Sequence, residues 1–283
     1  MDSIIIPTRP HLPDVVGQKF HLVLSHELTE ESRAFYRRES SHGSFVTLDN
    51  SAHEKQSGED LDTLLSQAEE IGAQEIVVPD VLFNAEETLY RFRTGLLRLA
   101  RSGRTNIPRL MIVPQGINKE SLSYCLWEMI SFVNGLHHQH PHTTEWKFTI
   151  GVSKDYNDFW QDKDFLLDFL EDVVVPASRI LNAEIHLLGW PKPLPVLREI
   201  ASSFFYNIRS TDSARPLTFA MFGIDLTKSL DIPYPRRPTG FFDRGVPHEF
   251  RSILRKNILV YRRLSRGLEI IPSPEMLPDS GVI

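Results

Sequence analysis

Eight short apolar runs recur along the chain, most of them followed by a stretch with helical periodicity, and this alternation restricts the fold more than any other feature. Runs of this kind are typical of strands buried on both faces of a parallel sheet. The predicted strands are residues 19–25, 44–50, 75–80, 109–116, 147–153, 184–190, 207–215 and 217–223. The predicted helices are residues 29–40, 59–72, 84–103, 119–136, 162–181, 193–205 and 248–267.

Repeated strand–helix units in one chain predict an α/β fold, a (β/α)8 TIM barrel, rather than an open doubly wound sheet. No Gly/Ser-rich linker divides the chain, and no glycine-rich turn of the dinucleotide or P-loop kind follows a predicted strand. We therefore predict a single barrel domain over residues 20–266. The proline-rich segments 1–19 and 267–283 are predicted to be irregular.

Composition excludes several classes of protein. The chain has 283 residues, and Cys125 is its only cysteine, which rules out an internal disulfide framework and every multi-cysteine zinc site. Cys125 falls in an amphipathic helical pattern and is predicted to be a core residue. No apolar run approaches the roughly 20 residues that span a bilayer, and no basic leader precedes the first apolar run, so we expect a soluble cytoplasmic protein.

Basic residues concentrate near the C-terminus although the net charge is −6. Residues 236–266 hold nine basic and two acidic residues, which is the kind of surface that contacts a phosphate backbone. Phe241 and Phe242 lie in the same stretch and offer rings for base stacking. The alternative is a solvated helix face. The predicted nucleic-acid-binding residues are Arg236, Arg237, Arg251, Arg255, Lys256, Arg262 and Arg263.

Acidic and amide side chains fall at the ends of four predicted strands, namely Asp49, Asp80, Gln115 and Asp212. In a (β/α)8 barrel the carboxyl ends of the strands form the mouth where catalysis takes place. Three carboxylates at one mouth can attack an electrophilic carbon, move a proton and hydrogen-bond a polar substrate. Substitution at a sugar anomeric carbon suits this set, because carboxylates stabilise its cationic transition state.

Other interpretations of these residues remain open at the sequence level. Asp49 and Asp80 can be helix caps or loop ligands, Gln115 can close a turn, and Asp212 can form an ion pair with a neighbouring arginine. His186 is interpreted as a core or barrel-lining residue. The histidine-rich segment 137–142 can bind a metal, but an exposed loop is favoured.

The ordered motifs resemble the tRNA-guanine transglycosylase superfamily, and most closely its shorter phage and bacterial members that insert 7-deazaguanines into DNA. The resemblance covers roughly residues 20–225. Its motifs in chain order are LDNSAHE with Asp49, VVPD with Asp80, IVPQG with Gln115 and Gly116, TIGVS with Gly151 and Val152, IHLLGW with Gly189, and TDSARP with Asp212 and Arg215.

The resemblance implies a base exchange in which Asp212 is the nucleophile and Asp49 the acid/base. Asp80 and Gln115, with Gly116, would hold the edge of the exchanged purine. The remaining residues of these motifs would complete the substrate site: Gly151, Val152, Gly189 and Arg215. The incoming base would be a 7-deazaguanine such as a cyano-type (preQ0) or aminomethyl-type precursor, and neither metal nor redox cofactor would be required.

Two departures from the family pattern bear on the polymer and on proton transfer. The tRNA enzymes carry a zinc site of three cysteines and one histidine, which a chain with one cysteine cannot build, so DNA is favoured over tRNA. Their aspartate–serine–glycine pattern is Asp49-Asn50-Ser51 here. Alternatives are the same exchange on tRNA, or a non-catalytic nucleic-acid-binding subunit. A homodimer is compatible with each of these functions. The purpose that the resemblance suggests is protection of DNA from restriction.

Overall fold

In a computed structural model, eight parallel strands form a nearly closed (β/α)8 barrel. The structure describes residues 1–153, 165–189, 194–202, 208–230 and 232–268. The strands are β1 (Asp2–Ile5), β2 (Phe20–Leu24), β3 (Phe45–Asp49), β4 (Glu75–Val77), β5 (Arg109–Ile112), β6 (Phe148–Ser153), β7 (Glu184–Leu188) and β8 (Ile208–Ser213). Strands β2 to β8 pair in chain order, and β1 pairs with β8 in parallel.

A side chain bridges the seam between β1 and β2, which carry no backbone ladder. Gln18 Oε1 accepts a hydrogen bond from the Ile5 backbone N–H at 3.3 Å, and Gln18 Nε2 donates to the Phe20 carbonyl at 2.6 Å. Gln18 is buried, so these bonds satisfy backbone groups that would otherwise lack partners. The amide thereby substitutes for ladder bonds at the point of closure.

Two strand predictions were wrong, and they are related. The predicted irregular segment 1–19 contains β1, which pairs with β8 and belongs to the barrel. The predicted eighth strand, residues 217–223, lies instead mostly in the helix Arg215–Met221. Periodicity does not distinguish a short apolar run in a strand from one in a buried helix, and Pro216 near the helix start favours the helix.

The helices cover the outside of the barrel. They are α1 (Glu30–Ser41), α2 (Ala52–Lys55), α3 (Leu61–Ile71), α4 (Ala85–Arg101), α5 (Lys119–Gln139), α6 (Phe165–Phe169), α7 (Val175–Leu181), α8 (Leu194–Ser202), α9 (Arg215–Met221) and α10 (Arg251–Ser265). The predicted caps are confirmed: Thr29 and Asn84 accept backbone N–H groups, and Gly72 ends α3 in the left-handed region. The start of the predicted helix at 162–164 and the tail from 269 lie outside the described residues.

The core lies between the outward-facing side chains of the strands and the helices. Cys125 is fully buried there, as predicted, and burial raises the pKa of its thiol to about 12. None of the helices in the described part of the chain has both the length and the apolar character that crossing a membrane requires.

A polar layer fills the barrel interior near the amino ends of the strands. Arg209 forms a two-pronged ion pair with the fully buried Glu75, at 2.7 and 2.9 Å. The hydroxyls of Thr47 and Thr149 donate to the same carboxylate at 2.8 and 2.6 Å. We call Glu75, Arg209, Thr47 and Thr149 the amino-end polar layer. Of the two arginines near Asp212 in sequence, Arg209 and Arg215, Arg209 pairs with Glu75 and not with Asp212.

Candidate active site

The four polar residues predicted at the strand ends lie together. Asp49, Asp80, Gln115 and Asp212 all line one cleft at the carboxyl ends of the strands, whose empty space, open solvent included, is about 640 Å³. They reach it from β3, from the loops after β4 and β5, and from β8. Parallel strands deliver their terminal side chains to the same mouth, so residues far apart in sequence converge there.

Asp212 is held by two donors on the neighbouring strand β7. Its Oδ1 accepts from His186 Nε2 at 3.0 Å and from the Gly189 backbone N–H at 2.9 Å. Gly189 has φ +61°, a left-handed conformation that suits glycine and aims this N–H at the carboxylate. Asp212 Oδ2 has no hydrogen bond to any residue that the structure describes, which leaves this oxygen available at the cleft.

His186 is fully buried beneath Asp212. Because a carboxylate only accepts, Nε2 carries the proton that it donates to Asp212, and Nδ1 lies 2.8 Å from the Ser210 hydroxyl. The sequence-based interpretation of His186 as a barrel-lining residue is confirmed, but its contact with Asp212 was not predicted. The signal in the sequence was that His186 lies two positions before the end of β7, the strand next to the one that carries Asp212.

Asp49 is the carboxylate that most favours its protonated form. Burial raises its pKa well above the ordinary value, and the negative charges of Glu54, Asp80 and Asp212 raise it further, against the hydrogen bond from the Ser51 N–H at 2.6 Å. Asp49, Asp80 and Asp212 line the same cleft. A carboxyl group with a raised pKa suits general acid catalysis.

Asp80 is buried and fixed by two amide side chains. Asn50 Nδ2 donates to Asp80 Oδ1 at 2.7 Å, and Gln115 Nε2 donates to Asp80 Oδ2. Gln115 Oε1 in turn accepts from the Phe83 backbone N–H at 3.1 Å. The carboxylate is therefore rigidly placed at the cleft, and Asn50 is a site residue that the sequence analysis did not select.

Backbone strain accompanies this network. Ser51 and Phe83 are non-glycine residues with φ +62° and +59°, in the loops that follow β3 and β4. Left-handed conformations cost such residues on the order of 1 kcal/mol or more, and they persist where the surroundings impose them. Both residues donate a backbone N–H to a site side chain, Asp49 or Gln115, so the strained turns help to hold the polar groups in place.

Apolar side chains supply the rest of the wall. Leu22 and Leu24 of β2, Val77 of β4, Val113 after β5 and Leu188 of β7 line the cleft between the acids. Such walls reduce the local dielectric, which strengthens electrostatic interactions within the cleft. A concave site in which polar groups converge between apolar walls is typical of a small-molecule site.

Four of the predicted substrate-binding residues do not line the cleft, namely Gly116, Gly151, Val152 and Arg215. Val152 is buried on the outer face of β6 among core residues, because side chains alternate along a strand, so its prediction was wrong. Gly151 lies inside the barrel, where a Cβ would come within 3.0 Å of Val113, Leu188 and Met111. Arg215 lies with its guanidinium 5.1 Å from the ring centroid of Tyr234.

Gly116 has a packing role instead of a place at the cleft. A Cβ at this position would lie 2.5 Å from Ser121 Oγ and 2.7 Å from the Leu122 backbone nitrogen. Glycine is therefore required for the loop after β5 to approach the first turn of α5. Gly189 alone among the predicted glycines both lines the cleft and binds Asp212.

The predicted nucleic-acid-binding residues separate into four groups. Arg237 lines the cleft, whereas Arg236, Arg251 and Arg255 are exposed elsewhere. Arg262 was wrongly assigned to an outward basic face, because it is half-buried and donates to Gln18 at 3.2 Å. The other two residues of the set lie on α10: Lys256, which is 3.6 Å from Asp225, and the partly buried Arg263.

The described residues contain no group of three or more His, Cys, Asp or Glu side chains arranged to hold a metal ion. In the segment 137–142, His137 Nδ1 lies 2.9 Å from Thr143 Oγ1, and His140 packs edge-on against His142. A metal site at these histidines is therefore not supported.

Comparison of the chain with protein-family models matches no family, and comparison with curated proteins gives no match. The functional argument consequently depends on the fold and on the geometry of the cleft.

Proposed function

We propose that the protein is a pentosyltransferase that exchanges guanine in DNA for a 7-deazaguanine of the preQ0 type through a covalent glycosyl-aspartate. The observation that carries the proposal is the state of Asp212: Oδ1 is held by His186 and Gly189, and the carboxylate lines a cleft shared with Asp49 and Asp80. A nucleophile fixed at one oxygen presents the other in a defined direction, which lowers the entropic part of the barrier.

In the first step, Asp212 Oδ2 forms a bond to C1′ of the target nucleotide as the bond from C1′ to guanine N9 breaks. The bonding electron pair leaves with guanine. Positive charge develops on the sugar in this transition state, and the carboxylates of the cleft stabilise it at close range.

Asp49 handles the proton in both halves of the reaction. With its raised pKa it holds a proton that it gives to the departing guanine. The resulting carboxylate then removes the N9 proton of the incoming deazapurine, N9 attacks C1′, and the bond to Asp212 breaks. Atoms and charges balance without a metal or a redox cofactor.

Asp80 and Gln115 suit recognition of the purine edge. Asp80 receives hydrogen bonds from Asn50 and Gln115 and lines the cleft, where its carboxylate suits the N–H groups that guanine and 7-deazaguanine share. A base without those donors would lose these hydrogen bonds, which disfavours its binding. In a duplex the target nucleotide would first be extruded, which costs a few kcal/mol.

The direct test is incorporation of labelled guanine and labelled 7-deazaguanine into DNA by the purified protein. We expect Asp212→Asn to reduce the rate by about 10⁴-fold or more, because it removes the nucleophile. Asp62→Asn on the exposed face of α3 is the matched control, since it makes the same chemical change away from the cleft and should leave the rate unchanged.

Two further outcomes separate the alternatives. Offering DNA and tRNA together determines the polymer by which one gains label. A denaturing gel without acceptor base should retain a covalent adduct with the unsubstituted protein only. Full activity of Asp212→Asn, or nucleic-acid binding that never yields an adduct, would contradict the proposal and favour a non-catalytic binding subunit.

A further inference from the structure

We call the cleft lined by Asp49, Asp80 and Asp212 the catalytic cleft. A second cleft, of about 680 Å³, opens directly beside it. His53, Glu54, Arg237 and Phe242 line both clefts. A linear molecule with one unit in the catalytic cleft therefore has a continuous route into the second cleft.

Arg237 supplies a positive charge at the junction. Its Nε donates to the Tyr234 hydroxyl at 3.3 Å, and its guanidinium carbon lies 5.4 Å from the ring centroid of Phe241. Within the described residues, no carboxylate lies within ion-pair distance of this guanidinium. The group is thus held in position with its terminal nitrogens available, and the planar fork of arginine matches a phosphate.

The acidic residues of the second cleft are largely neutralised. Arg9 binds Glu27 at 2.7 Å and also bonds Asp243. Glu54 remains as an acid on the shared wall, but it is exposed to solvent, where screening weakens its repulsion of an anion. The second cleft can therefore accept a phosphate next to Arg237.

Phe242 adds an aromatic surface. Its ring meets His26 edge-on at a centroid distance of 6.2 Å and Phe241 at 5.1 Å, so two neighbouring rings fix its orientation. It is only partly buried and lines the cleft. Nucleobases of any sequence stack on such a ring.

We propose that the second cleft binds the nucleotide adjacent to the target nucleotide in the same strand. Arg237 contacts the phosphodiester that joins the two nucleotides, and Phe242 stacks on the neighbouring base. This proposal rests on the proposed function for the identity of the target nucleotide, but strand binding is measurable without base exchange.

The charge contact is tested by fluorescence anisotropy with short single-stranded oligodeoxynucleotides that contain one guanine, on the Asp212→Asn background to prevent turnover. Arg237→Gln should weaken binding about tenfold at low salt and reduce the slope of log affinity against log salt by about 0.7. The matched control is Arg244→Gln, an exposed arginine of the same segment that lines neither cleft. Equal slopes for the two variants, or no oligonucleotide binding at all, would overturn the proposal.

The stacking contact is tested by removing one base from the oligonucleotide, on either side of the guanine. An abasic neighbour on one side should weaken binding about tenfold for the parent protein and cause little loss for Phe242→Leu. A loss of the same size in both proteins on both sides would refute the stacking role.

The base-exchange assay distinguishes the two proposals. If no exchange occurs but binding depends on Arg237 and Phe242 as described, the second cleft is a strand-binding site and the proposed function fails. If exchange occurs and Arg237→Gln leaves KM for DNA unchanged, the second-cleft proposal fails and the proposed function stands.

Discussion

Two acidic residues at opposite ends of the barrel, Glu75 and Asp49, have pKa values that are shifted in opposite directions. In the amino-end polar layer, Glu75 receives four hydrogen bonds, two of them from Arg209. Although burial acts to raise its pKa, these bonds and the charge of Arg209 hold the pKa of Glu75 below its ordinary value. At the carboxyl ends, burial raises the pKa of Asp49, and the charges of neighbouring acids raise it further.

The two pKa shifts distinguish Glu75, whose carboxylate stabilises the fold, from Asp49, whose carboxyl group is available for chemistry. A buried acid with a bidentate arginine partner has its hydrogen-bonding capacity largely used, so it serves structure. A buried acid surrounded by like charges is destabilised as an anion, and such groups are typical of functional sites. The same barrel therefore carries a polar layer of paired side chains at its amino end and the candidate active site at its carboxyl end.

The largest stability effect is expected for the amino-end polar layer. Arg209→Met leaves the Glu75 charge buried without its cation and should reduce the free energy of unfolding by about 3–5 kcal/mol, measured by urea denaturation. Arg98→Met, which removes the exposed pair with Asp62, should cost less than about 1 kcal/mol. Equal losses would mean that the polar layer contributes no more than a surface ion pair.

At the carboxyl ends, His186 should act as a positioning residue for Asp212. His186→Leu removes one of the two donors to Oδ1 and is expected to lower kcat for base exchange about 10²-fold with little change in KM. His186→Gln retains an N–H donor and should recover much of the rate. A purely structural histidine would instead give variants that lose stability in parallel with activity, which thermal unfolding would detect.

A smaller effect of opposite sign is expected for Asp49→Asn. The raised pKa means that wild-type stability falls as pH rises above about 3.8, the ordinary value, towards the pKa in the folded protein. The variant lacks this loss, so at pH 7 it should be more stable by roughly 0.5–2 kcal/mol, although inactive. The difference should close below about pH 4, and a difference that is constant with pH would show that the charge of Asp49 is not its cause.

Local patterns predicted most of the barrel and the main site residues. Seven of the eight strands follow from apolar runs, and the positions of Asp49, Asp80, Gln115 and Asp212 follow from the polar residue at the end of each run. These inferences succeed because burial and periodicity are properties of a short segment and its neighbours in sequence. The carboxyl ends of parallel strands then bring the terminal residues to one mouth without further information.

The remaining features depend on which segments meet in space. Residues 2–5 form a strand by pairing with β8, whereas residues 217–221 lie in the helix that follows β8. The pairing of β7 with β8 sets His186 beside Asp212, and strand alternation turns Val152 away from the cleft. The sequence alone thus determined the fold class and the acids of the cleft. Only the tertiary structure decided which of those acids has hydrogen-bonding partners, which of them has a raised pKa, and which arginine lines the cleft. The reason is that hydrogen bonds and charge interactions depend on distances between residues far apart in the chain.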